Sequence, residues 1–98
     1  MDETEALTVM SALANSTRMR VFVMLVQAGE AGMVSSAIAD AVGMPSNLMS
    51  SHLAVLSKAG AIASKRSGRS VTYTAVADVV VALGDHLRGL GMREGSGD

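Results

Sequence analysis

The 98-residue chain has no cysteine, a single proline and only two aromatic side chains, Phe22 and Tyr73. Without a thiol there can be no disulfide, no thiolate metal ligand and no thiol redox sensor. No apolar run approaches the ~20 residues that a membrane-spanning helix needs. The N-terminus carries Asp2, Glu3 and Glu5 and so does not resemble a secretory or transit peptide. There is no phosphate-binding glycine loop, no HExxH pair and no pair of acids on one helix face. These absences lead us to expect a cytoplasmic protein that is not an enzyme, takes no cofactor or metal and has no membrane partner.

What remains is rich in alanine, valine, leucine and methionine, with 49% of residues apolar. The length fits one domain. A nearly aromatic-free core of this kind implies packed helices, and the apolar excess implies a second buried surface such as a subunit seam. The net charge of −1 is uninformative, but its distribution is not. Residues 41–77 contain no acid and hold Lys58, Lys65, Arg66 and Arg69, whereas acids predominate at both ends. A basic middle suits contact with a polyanion; the alternative is chance scatter over a solvated surface.

Punctuation divides the chain. Residues 3–14 form a helix with acids in its first turn, where the helix dipole favours them. Asn15 stops it and caps a second helix reaching about Gln27, with Val21, Phe22 and Leu25 inward. Gly29 and Gly32 bracket a loop. Ser35 or Ser36 caps a short third helix to about Val42, with Ile38 and Val42 inward and Gly43 as a left-handed stop. Pro45 opens a fourth helix over 46–58, ended at Gly60. Two β-prone arms, 61–66 and 70–75, flank Ser67-Gly68-Arg69 as a hairpin. A last helix starts near Ala75 to Ala77 and fades at Gly89 and Gly91, leaving 91–98 as a disordered tail and 1–90 as the domain. The expected order is ααααββα, mainly α with a small β-hairpin.

The fourth helix is two-faced. At 100° per residue from Ser46, the residues Leu48, Met49, His52, Leu53, Val55 and Leu56 fall between about 180° and 340°, the core side. Ser46, Asn47, Ser50, Ser51, Ala54, Ser57 and Lys58 fall between about 0° and 140°. An ordinary solvent face would carry Glu and Lys. Small hydroxyls and an amide instead suit close approach to base edges in a major groove. A short helix, a glycine turn and then this helix is helix-turn-helix order. We therefore expect Ser46, Asn47, Ser50 and Ser51 to meet bases, with Lys58, Lys65, Arg66 and Arg69 on phosphates. The alternatives are a serine-rich face turned to solvent and a hairpin edge protected by charge.

ALANSTRMRV, and the run IADAVGMPSNLMSSHLAVLSKAGAIASKRSGRSVTYTA, resemble the signatures of the ArsR/SmtB winged-helix repressors over about residues 10–85. The resemblance implies a winged helix-turn-helix and a homodimeric repressor that reads an inverted-repeat operator in double-stranded DNA and releases it on sensing a ligand or ion. It also implies dimerisation through the first and last helices. Val34-Ser35-Ser36 stands where many members carry Cys-x-Cys, Val80 stands two residues beyond Asp78 where another metal site needs a histidine, and His86 stands alone, so both metal sites read as lost. Arg or Lys often occupies the positions of Ser51 and Ala54, so phosphate contact from the helix itself is weakened. The effector is unidentified: a small organic ligand, a non-thiol ion or none.

Val76, Val80, Leu83, Leu87 and Leu90 recur at heptad spacing, and with Leu7 and Met10 of the first helix they form the expected dimer seam; the alternative is burial on the domain's own core. His52, inside the apolar sector, reads as a hydrogen-bonded core histidine. Arg18 and Arg20 read as structural anchors that pair with acids, the alternative being contact with phosphate. Asp85 and His86 point about 100° apart and do not readily share a site within one chain, the alternative being a role as surface or cross-subunit groups. The eight methionines read as core filler. The rival to a DNA reader is a winged-helix module that binds protein.

Overall fold

A computed structural model describes the backbone of residues 1–97 and the side chains of residues 1–92. Helix α1 spans Glu3–Leu13 and starts from a reciprocal cap: the Glu5 amide donates to Asp2 Oδ1 at 2.7 Å, and the Asp2 amide donates to Glu5 Oε1 at 3.2 Å. The acids at this end thus satisfy two otherwise orphaned amides as well as the helix dipole. Helix α2, Ser16–Ala28, is capped by Asn15, whose Oδ1 accepts from the Arg18 amide at 3.0 Å. Helix α3, Ser35–Val42, has no side-chain cap from either serine; Ser35 is its first residue, and Val34 precedes it in extended conformation. Gly43 ends it in the left-handed region at φ 78°. Helix α4 spans Ser46–Lys58, with Pro45 at its N-cap, and α5 spans Ala77–Gly97.

The hairpin strands are β2, Ile62–Ser67, and β3, Ser70–Ala75. They pair antiparallel from Ile62 opposite Ala75 to Ser67 opposite Ser70. A third strand not expected from the sequence, β1 at Met33–Val34, pairs with β3 and makes the sheet order β1-β3-β2. It follows a single 3₁₀ turn at Gly29–Ala31. The architecture is a winged helix-turn-helix.

The core gathers Val9 of α1, Val21, Phe22 and Leu25 of α2, Ile38 of α3, and Met49, Leu53 and Leu56 of α4. Leu83 of α5 closes it at 8% exposure. Two expectations for the last helix need correction. It does not fade at Gly89 or Gly91 but continues to Gly97, because helix propensity is a weak preference that neighbouring residues can override; Asp98 lies outside the described residues. Val76 is not on the helix at all: it bridges β3 and α5, and its amide donates to the Ala61 carbonyl at 2.8 Å.

Candidate nucleic-acid interface

The chain enters α4 through Gly43-Met44-Pro45 and leaves it through Ala59-Gly60, where the Ala61 amide donates to the Leu56 carbonyl at 3.0 Å. That short exit runs directly into β2, which packs on α4 and keeps the wing beside the helix. Met49, Leu53 and Leu56 are fully buried and turn that side of α4 inward. With them inward, Ser46, Asn47, Ser50, Ser51, Ala54, Ser57 and Lys58 are all exposed. The hydroxyl of Ser50 donates to the Ser46 carbonyl at 3.0 Å, which leaves its oxygen lone pairs as acceptors toward an approaching donor.

The core side of α4 is narrower than its apolar arc. Leu48 is 52% and Val55 41% exposed, although the pattern places both inward. Hydrophobic periodicity tells which side of a helix is apolar, not how much of it a neighbour covers; here the neighbouring elements cover the end of the arc that holds Leu56, Met49 and Leu53 and leave the end with Leu48 and Val55 open. Val55 instead lines an open groove of about 460 Å³ with Leu7, Thr8 and Ser11 of α1.

Lys65, Arg66 and Arg69 are exposed on the wing. Lys65 sits opposite Thr72 and Arg66 opposite Val71, so alternation along β2 puts the two cations on opposite faces of the hairpin. Arg69 follows Gly68 in the two-residue turn between Ser67 and Ser70. A wing charged on both faces can follow a groove rather than lie flat on one strand. The exposed placement of Asn47 yields a first prediction. Asn47→Ala should cost about 1–3 kcal/mol at one base-pair position and relax preference there alone, as read by selection from a randomised DNA pool. An unchanged selected sequence removes Asn47 from the reading set.

Of the expected seam residues, Leu7, Leu87 and Leu90 are exposed, whereas Met10, Val76 and Val80 are half-buried. Leu83 is buried in this domain's own core. His52 is half-buried, and its Nδ1 lies 3.4 Å from Arg18 Nη1. Arg18 and Arg20 anchor backbone rather than acids: Arg18 Nε donates to the Ala12 carbonyl at 2.6 Å, and Arg20 Nη2 donates to the Ala41 carbonyl at 3.3 Å. Among the described residues no three His, Asp or Glu side chains gather as a metal site, and no single helix is long and apolar enough to cross a membrane.

A family model described as a helix-turn-helix domain matches residues 13–65, more than half of the chain. No curated protein matches the sequence. Among solved structures, an ArsR-like transcriptional regulator from Rhodococcus sp. RHA1 is similar at 24% identity and a TM-score of 0.84, covering 95% of this chain and 85% of its own. A homodimeric winged helix-turn-helix DNA-binding domain from Mycobacterium bovis, a fragment of a possible ArsR-family transcriptional regulator, is 25% identical with a TM-score of 0.72, over 97% of this chain and 85% of that one. The AntR antimony-specific transcriptional repressor is 28% identical with a TM-score of 0.68, over 93% of this chain and 81% of that one. With the exposed, small polar face of α4 and the basic wing beside it, these matches identify the chain as a member of the helix-turn-helix domain family and a DNA-binding transcriptional regulator of the ArsR winged-helix type.

Proposed function

We propose that the protein is a homodimeric repressor acting in the cytoplasm, and that residues 1–90 form its operator-reading unit. Each copy lays α4 in the major groove of one half of an inverted repeat. Ser46, Asn47, Ser50 and Ser51 meet base edges, and Lys58, Lys65, Arg66 and Arg69 hold phosphates. The observation that carries this reading is the exposed outer face of α4, small and polar with Lys58 as its single charge, next to a cationic hairpin. The homodimeric M. bovis domain and the AntR repressor support the assembly and the direction of regulation. The seam is the exposed apolar edge of α1 and α5 at Leu7, Leu87 and Leu90, with Met10, Val76 and Val80 partly covered beside it.

Titrating the protein on its operator at several salt concentrations tests the reading. Eight phosphate contacts per dimer predict that log affinity falls with log salt at a slope near −7. A slope near zero, or no shift of any DNA pool together with a stable complex with another protein, would favour the protein-binding module instead.

A further inference from the structure

Arg18 is the meeting point of three helices. It stands on α2, its amide is held by Asn15 Oδ1 at 3.0 Å, and its guanidinium reaches both ways. Nε donates to the Ala12 carbonyl at 2.6 Å, in the last turn of α1. That carbonyl lies among the four that a helix leaves without an intrahelical partner, at the end where the dipole favours a cation. Nη1 meets His52 Nδ1 on α4 at 3.4 Å. This side-chain-to-side-chain contact spans 34 positions of sequence. A guanidinium can only donate. For the two to share a hydrogen bond, Nδ1 is the acceptor and the ring proton sits on Nε2.

Apart from this contact and the Ala61 amide on the Leu56 carbonyl at its exit, α4 is held by apolar, non-directional packing: Met49, Leu53 and Leu56 lie in the core, while Leu48 and Val55 on the flank are exposed. Such packing limits tilt better than roll. A roll of about 20° moves a side-chain tip that lies about 5–6 Å from the helix axis by about 2 Å, enough to break a base contact. His52 sits at the edge of the buried arc, where a tether opposes roll most directly. Helix α1, at the other end of the tether, touches α4 and α5 and carries Leu7 of the proposed seam.

We propose that Arg18 and His52 are positioning residues that lock the roll of α4 to the carbonyl end of α1, so that base discrimination depends on the seam helix. The inference rests on the reading of α4 as the base-contacting helix. Ring ¹⁵N shifts of the two histidines in the free protein give the first test. The expected result is His52 as the Nε2–H tautomer in the native chain and a tautomer mixture in Arg18→Met. His52 found as the Nδ1–H tautomer in the native chain overturns the link, whatever the protein does with DNA.

The second test compares His52→Leu with His52→Asn, whose side-chain oxygen replaces the Nδ1 acceptor. His52→Leu should keep the dimer and the salt slope, because the phosphate contacts persist, yet lose tenfold or more in the ratio of operator to random-sequence affinity. His52→Asn should restore most of that ratio. A ratio unchanged within twofold in His52→Leu, or one lost only in step with the dimer and the salt slope, overturns the positioning role. A native chain with the expected tautomer but no preference for any DNA sequence strikes the DNA reading itself, and the positioning role falls with it.

Discussion

Replacing Gly32 by alanine is expected to lower the melting temperature by roughly 15 °C or more, although the site is an unremarkable loop residue by composition. Two costs coincide there. Gly32 has φ 63° and ψ −166°, a region that essentially only glycine occupies and that costs a side-chain-bearing residue about 1–3 kcal/mol. A Cβ at this position would also run into the Tyr73 carbonyl oxygen and stand 2.8 Å and 2.9 Å from the Thr72 and Thr74 methyl groups. Those atoms belong to β3, the central strand, which cannot retreat without breaking its pairing on both sides. Overpacking against backbone adds about 1–3 kcal/mol. The sum is a large part of the roughly 5–15 kcal/mol that holds a domain together. Gly29 supplies the control: it has the same φ of 63°, but its Cβ would meet nothing within 4 Å. Gly29→Ala should therefore show the backbone cost alone. Thermal melts of both variants at one protein concentration separate the two contributions. Equal melting temperatures would mean that the loop yields and that β1 is not clamped to β3.

The contrast between these glycines was invisible in the sequence, which presents them only as the two ends of a loop. Both are loop punctuation, and only the register of Met33 against Tyr73 makes one of them irreplaceable. Strand β1 escaped notice for a related reason. Two residues carry no period, and their extended form comes from pairing with β3, about forty positions away. Features bounded by local chemistry were legible instead. Asn15 caps α2, Gly43 stops α3, and Pro45 with Gly60 brackets α4 at Ser46–Lys58 as the sequence predicts. The candidate site shows the same division. The polar arc of α4 and the cations of the wing follow from spacing, and each of these side chains is exposed. The uncovered Leu48 and Val55, the two faces of the wing, and the tether from Ala12 through Arg18 to His52 depend on which elements meet, and a helical wheel does not contain that information.

The other large effect concerns the seam. The double variant Leu87→Lys, Leu90→Lys should convert a dimer into a folded monomer. Both leucines lie beyond Leu83, the last buried residue of α5 among the described side chains, and are 43% and 48% exposed in a single chain, so charging them costs the lone domain little. In a dimer the same charges would face an apolar partner surface without counter-ions. The DNA readout should change in a characteristic way. A monomer keeps half of the phosphate contacts, so the salt slope should fall from near −7 to near −3.6, while losing the second half-site removes about 10²–10⁴ in operator affinity. Leu83→Ala should behave differently: it opens a core cavity and costs about 2–5 kcal/mol of stability in the chain itself. Sedimentation equilibrium together with the salt titration distinguishes the cases. If the double-lysine variant remains a dimer with a slope near −7, the seam does not run along α5. The exposed stripe of Met19, Val23 and Val26 on α2, spaced four and three residues apart on one side of that helix, then becomes the surface to charge next.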